Sequence, residues 1–292
     1  MMKKNFLFID GFILKLVAFF LMTLDHIGIF LEAMESESAV LTGEIFRLFG
    51  RFAFPLFVLM LVEGVRHTKS FAKYALRLGI VASIILFAQV IIYFFFDNAV
   101  DGAFSPLLDL LCYGTFLYLL SRKDKFSFLA IIPFTLVVGS FVATAIEQAN
   151  DINILWFPIF LRSGYSIFGL IMAVIMYYSY PLLKKFFESY NMDVKDYEKS
   201  QTFQFSLNVA YSFAIFFAIV VIYFLAKIPG CDLYGVNQEI YSETWALASI
   251  LIILFYTGRR GYNAKWFQYA SYLYFPAHLV IIYLIFTLVT GV

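Results

Sequence analysis

The chain has 292 residues, of which 62% are hydrophobic, 21% aromatic and only 14% charged, with a formal net charge of +1. A soluble domain is about half apolar and about a quarter charged, so a mean hydropathy of +0.84 points to a chain built for a bilayer. The near-zero charge provides no field for nucleic acid. Cys112 in an apolar run and Cys231 in a polar loop make no disulfide framework.

Nine stretches are apolar over roughly the 20 residues that a spanning helix needs: 12–31, 46–65, 74–96, 104–121, 127–147, 153–179, 206–226, 242–257 and 266–289. The first follows a basic start but lacks a small-residue cleavage site, so it is expected to be retained as a span. No repeat stands out, and "ESYNMDVKDYEKSQT", residues 188–202, reads as a connection rather than a second domain. The expected fold is one all-α polytopic transmembrane bundle over 1–292.

Lys and Arg set its orientation. Sixteen of the 21 basic residues lie in the N-terminal tail and in alternate loops, for example Arg66, Lys69, Lys73 and Arg77, or Arg122, Lys123 and Lys125. The intervening loops "EAMESESAV", "DNAVDGA", "EQANDI" and "GCDLYGVNQEIYSE" are acidic. Nine spans in the cytoplasmic membrane, N-terminus inside and C-terminus outside, fit this alternation.

Within the spans a few ionisable residues are costly. Asp25 and His26 fall about 8–9 Å below the outer end of the first span, at about 1.5 Å per residue. Arg51 is equally deep in the second span, with Arg47 one turn away on the same face. Asp109 is shallow in the fourth, Arg162 deeper in the sixth, and His278 near the midplane of the ninth. Buried charges of this kind face the bundle interior and pair with one another. The simplest arrangement pairs Asp25 and Asp109 with Arg51 and Arg162 around an outward cavity floored by His278. Asp109 and Arg162 would then contact substrate, with Asp25, His26, Arg51 and His278 as the catalytic group. Pro55, Pro158 and Pro276 each follow a Phe and each should break or kink its helix beside such a residue.

A neutral imidazole takes a proton at physiological pH, and a carboxylate fixes its tautomer. A plain structural role is the alternative: His26 bonding across helices and Asp25 only neutralising Arg51. Three histidines on distant spans, without cysteine or carboxylate at ligand spacing, argue against a metal site.

Three blocks carry a family likeness: "LKLVAFFLMTLDHIGIFL" (14–31), "GRFAFPLFVLMLVEGVRHTKSFAKYALRL" (50–78) and "YTGRRGYNAKWFQYASYLYFPAHLVIIYLI" (256–285). Together they resemble the TraX family, which takes its name from a conjugative-pilus protein that acetylates the N-terminus of pilin. The blocks cover about a quarter of the chain, and Phe275 departs from the Tyr usual before the proline. The resemblance implies a multi-spanning transferase that uses acetyl-CoA, without a metal. It carries over Asp25, His26, Gly50, Arg51, Glu63, His67 and His278. His26 or His278 would be the general base, Asp25 would orient it, and Arg51 would steady an oxyanion or a substrate carboxylate.

An acetyl-CoA donor needs cations for its phosphates. Lys69, Lys73, Arg259, Arg260 and Lys265 flank the matching spans, although positive-inside bias explains each without a ligand. Glu63 and His67 would line the donor's entry. The acceptor is a pilin-like peptide amine, a glycan amine or hydroxyl, or a lipid headgroup. The rival reading is a proton-coupled transporter or flippase using the same Asp/His/Arg cavity, although no inverted repeat is visible in the sequence. A non-catalytic chaperone for a membrane partner has no positive signal.

Overall fold

A computed structural model of the protein describes residues 6–34, 36–95, 105–190, 198, 200–237 and 242–290. The acidic loop at 97–103 and most of the hydrophilic connection at 188–202 lie outside these residues. Among the described residues all regular structure is helical, apart from one isolated bridge between Ile9 and Tyr256. The α-helices are α1 (Gly11–Glu32), α2 (Glu37–Gly50), α3 (Ala53–His67), α4 (Phe71–Phe95), α5 (Pro106–Ser121), α6 (Ile131–Asn150), α7 (Ser166–Ser189), α8 (Gln201–Leu225), α9 (Ser249–Ile253) and α10 (Lys265–Thr290).

Among these residues 7 segments are helical, long and apolar enough to cross a membrane: Gly11–Glu32, Glu37–His67, Phe71–Ile91, Lys125–Asn150, Ile159–Ser189, Gln201–Leu225 and Lys265–Thr290. They correspond to seven of the nine expected stretches. The other two are shorter helices, Pro106–Ser121 and Glu243–Ile253. At 16 residues α5 is about 24 Å long, which is less than the roughly 30 Å of hydrocarbon.

Proline explains two departures from continuous spans. The expected 46–65 helix is instead α2 and α3, separated at Arg51–Phe52 with Pro55 in the first turn of α3. Helix α6 ends at Asn150, and Pro158 is the N-cap of a 3-10 turn at Ile159–Leu161 before the chain enters the next α-helix at Ser166. The stretch expected to span from 153 therefore becomes helical a dozen residues later. Pro276, by contrast, sits inside α10 without ending it.

The described chain forms two compact units, each assembled from separate segments. The first comprises Met1–Glu63, Ile171–Val220 and Ile240–Ala264; the second comprises Gly64–Leu170, Val221–Glu239 and Lys265–Val292. In the first, Asp10 caps α1 by accepting from the backbone N–H of Phe12 and Ile13 at 3.0 and 2.9 Å. Helices α1 and α2 then run antiparallel at close range. A Cβ on Gly28 would stand 2.7 Å from the Gly43 carbonyl, and one on Gly43 would stand 2.8 Å from that of Gly28. Apolar association gives little drive between helices in lipid, so small residues that admit close backbone packing supply it instead. In the second unit α5 packs against α4 and α6, and α10 packs against α4. Ahead of α6, Asp124 caps a 3-10 turn, and its hydrogen bonds from the Arg122 guanidinium hold its carboxyl below the usual range.

Candidate functional site

The α1–α2 crossing positions the first group of candidates. Asp25 projects from α1 onto Gly50, whose missing side chain leaves the room that the carboxyl group occupies. Arg51 follows as the C-cap of α2, just where the helix breaks before Pro55. Its Nη1 donates to Glu243 Oε1 at 2.6 Å, and one turn earlier Arg47 Nη1 donates to Glu32 Oε2 at 2.6 Å. The charges of Arg51 and Arg47 both act on Asp25. Three carboxylates thus meet two guanidiniums. Among the described residues, one oxygen each of Asp25, Glu32 and Glu243 is buried without a hydrogen-bond partner, a condition that favours an incoming N–H or O–H donor or a proton. His26 is half-buried on the same helix.

The second unit holds Asp109, Arg162 and His278. Asp109 and Arg162 are fully buried. Asp109 accepts from the Ser163 hydroxyl, from Tyr113 Oη at 3.1 Å and from the Tyr165 backbone N–H at 3.3 Å. The loop after Arg162 is fixed further by Ser163 N–H donating to Ser140 Oγ at 3.0 Å and by a Ser166–Tyr234 hydroxyl contact at 2.8 Å. Ser166 accordingly holds a φ of 29°, a strained value for a residue with a side chain. Arg162 forms a two-point pair with Glu147, with Nη2–Oε1 at 2.7 Å, and donates through Nε to the Phe157 carbonyl at 2.7 Å. These bonds give it a loop-holding role. His278 is buried on α10, stacked on Tyr274, with its Nδ1 donating to the Tyr274 carbonyl at 2.8 Å. That bond places the ring proton on Nδ1 and leaves the basic lone pair of the neutral ring on Nε2.

The expected pairing of Asp25 and Asp109 with Arg51 and Arg162 gives way to Glu243–Arg51, Glu147–Arg162 and Glu32–Arg47. All three glutamates stand at the edge of a stretch assigned from sequence to an acidic loop. Each edge position lets a carboxylate fold back onto the neighbouring helices, where the low dielectric makes an unpaired arginine expensive. A glutamate bordering an apolar stretch was the signal available in the sequence.

The residues expected to grip a donor are distributed over both units. Glu63 accepts from Tyr211 Oη at 2.9 Å, and His67, one turn further on α3, is exposed. Arg259 and Arg260 are exposed on the loop after Tyr256, which turns at Gly258 and Gly261, each with φ 68°. This loop lies on the N-terminus of α1: Gly11 N–H donates to the Arg259 carbonyl at 2.7 Å. Lys15, one turn into α1, feels the charge of Arg260 and was not among the sequence candidates. Lys69 and Lys265 are exposed in the second unit.

Long apolar helices carrying buried ion pairs define a multi-pass α-helical membrane protein. Within that class, the family model described as TraX protein matches residues 10–286, and the chain belongs to the TraX family. No curated protein and no solved structure matches the chain.

Proposed function

We propose that this protein is an acetyltransferase of the cytoplasmic membrane. It takes an acetyl group from cytosolic acetyl-CoA and passes it to an amine or hydroxyl acceptor at or near the outer face. The observation that carries this reading is TraX membership over residues 10–286, joined to the contact of two of the family-like blocks at Asp25, Gly50 and Arg51. Nine spans, with the N-terminus inside, remain our reading of the topology. The two shorter helices would cross in a locally thinned or protein-lined region.

In this mechanism the acceptor lone pair attacks the thioester carbonyl carbon while its proton passes to a histidine. The tetrahedral oxyanion collapses, the C–S bond breaks and the CoA sulfur leaves with a proton. His26, on the helix that carries Asp25 and in the same unit as Arg51, serves as that base. Arg51 is held by Glu243, so its charge is preorganised for an oxyanion. The partnerless carboxylate oxygens of Asp25 and Glu243 would take the acceptor's N–H or O–H. Arg259, Arg260 and Lys15 would hold donor phosphates, with the backbone of the glycine turns approaching closely.

Membranes containing the protein, supplied with acetyl-CoA labelled on its acetyl group, should transfer label to a surface component. Neither binding of acetyl-CoA nor transfer to any co-expressed surface component would refute the proposal. The excess of three carboxylates over two guanidiniums around Asp25 favours a second reading, a proton-coupled transporter. It predicts proton-driven uptake without consumption of acetyl-CoA.

A further inference from the structure

Helices α4 and α5 border a cleft of about 730 Å³ that contains none of the residues discussed above. Its floor is the small-residue face of α4, with Ala75, Gly79, Ala82 and Ser83, and Leu108 and Leu111 of α5 form a wall. From Ala75 to Phe87 the cleft runs about 18 Å along α4. Ile80 and Phe87 at its rim are 52% and 67% exposed, so it opens to the surroundings of the helices. For a chain that spans a membrane, those surroundings are lipid.

Two hydroxyls interrupt the apolar lining, Ser83 on the floor and Ser105, and Ser105 is the buried one. Ser105 is 3% exposed and occupies the N-cap of α5, yet its hydroxyl makes no capping hydrogen bond and has no other partner among the described residues. An N-cap serine ordinarily bonds the N–H two or three residues on. Leaving a buried hydroxyl unmatched is unfavourable, and hydrocarbon offers it no water. Because α5 is shorter than the hydrocarbon core, one of its ends is recessed below a bilayer surface. With the N-terminus of α5 as the recessed end, this hydroxyl would lie on the apolar side of the lipid ester groups.

We infer that a bilayer phospholipid seats one acyl chain in the α4–α5 cleft, its ester carbonyl accepting the hydroxyl proton of Ser105. The length, the largely apolar lining and the buried donor of Ser105 match an acyl ester, whereas a water-soluble ligand would need more polar partners. This inference is independent of acetyl transfer.

The full chain would be reconstituted into phosphatidylethanolamine–phosphatidylglycerol vesicles containing a trace of phosphatidylethanolamine with a diazirine on one acyl chain, then photolysed and peptide-mapped. Adducts should concentrate on residues 75–87 and 105–111. Gly79→Phe and, separately, Ser83→Phe should each lower them by about tenfold, the effect of excluding two methylenes. Labelling around Leu288, an 84% exposed control, should not change. Ser105→Ala should also reduce labelling, and Ser105→Thr should restore it. Even labelling of all exposed helices, insensitive to these changes, would overturn the inference. So would adducts confined to residues outside 75–87 and 105–111.

Discussion

Arg51 and Glu243 are 192 positions apart and meet at 2.6 Å, with side chains only 12% and 9% exposed. The pair joins the break between α2 and α3 to the 3-10 turn that precedes α9, all within one compact unit. Removing one partner leaves the other charge buried, so Arg51→Gln and Glu243→Gln should each destabilise the fold by about 3–5 kcal/mol. The double substitution should recover part of that loss. Thermal unfolding of the four purified proteins in detergent measures the coupling, and strictly additive losses would contradict it.

The close α1–α2 crossing should resist any side chain at its contact glycines. Gly28→Leu or Gly43→Leu meets a backbone carbonyl as well as the side chain of Arg47 or Glu32. Each should lower stability by about 1–3 kcal/mol, whereas Gly139→Leu, where a Cβ meets nothing within 4 Å, should be tolerated. Melting temperatures in detergent would rank the three.

Histidine and arginine should separate chemistry from scaffolding. His26→Ala should reduce acetyl transfer by about 10²–10⁴-fold, the usual contribution of a general base, while folded yield and acetyl-CoA binding persist. Arg162→Ala should instead remove the folded protein, because the guanidinium holds Glu147 and the Phe157 carbonyl. A folded, inactive Arg162→Ala protein would reassign that residue to the substrate.

Donor binding should depend on the loop beside the start of α1. Arg260→Ala should weaken acetyl-CoA binding and leave the choice of acceptor unchanged, as a phosphate contact distant from the reacting carbon would. Equilibrium binding of labelled acetyl-CoA, compared with acceptor profiles, checks both halves of the statement.

The orientation is testable without any assay of function. In a Cys231→Ser background, cysteines at Ser36 and Asn237 should react with an impermeant thiol reagent added to intact cells, and one at Lys123 should not. Labelling at Lys123 would reverse the topology.

Membrane residence and helical class were legible in composition, because no water reaches the hydrocarbon and a spanning backbone must satisfy its own hydrogen bonds. The three family-like blocks likewise marked Asp25, Arg51 and His278 before any geometry was known. Two of those blocks meet where Asp25 lies on Gly50. Partner choice was not legible. Glu32, Glu147 and Glu243 differ from the other acids of their polar stretches only in bordering an apolar run, which names no partner. Only packing decides that these three turn inward to Arg47, Arg162 and Arg51. The fate of the three Phe–Pro steps was equally a tertiary matter. Proline removes one donor in each, but neighbouring contacts determine whether the helix breaks before it, as at Pro55, begins only beyond it, as at Pro158, or continues through, as at Pro276. Apolar pattern is a property of each segment alone, whereas the partner of a buried charge is set by which segments the fold brings within a few ångströms.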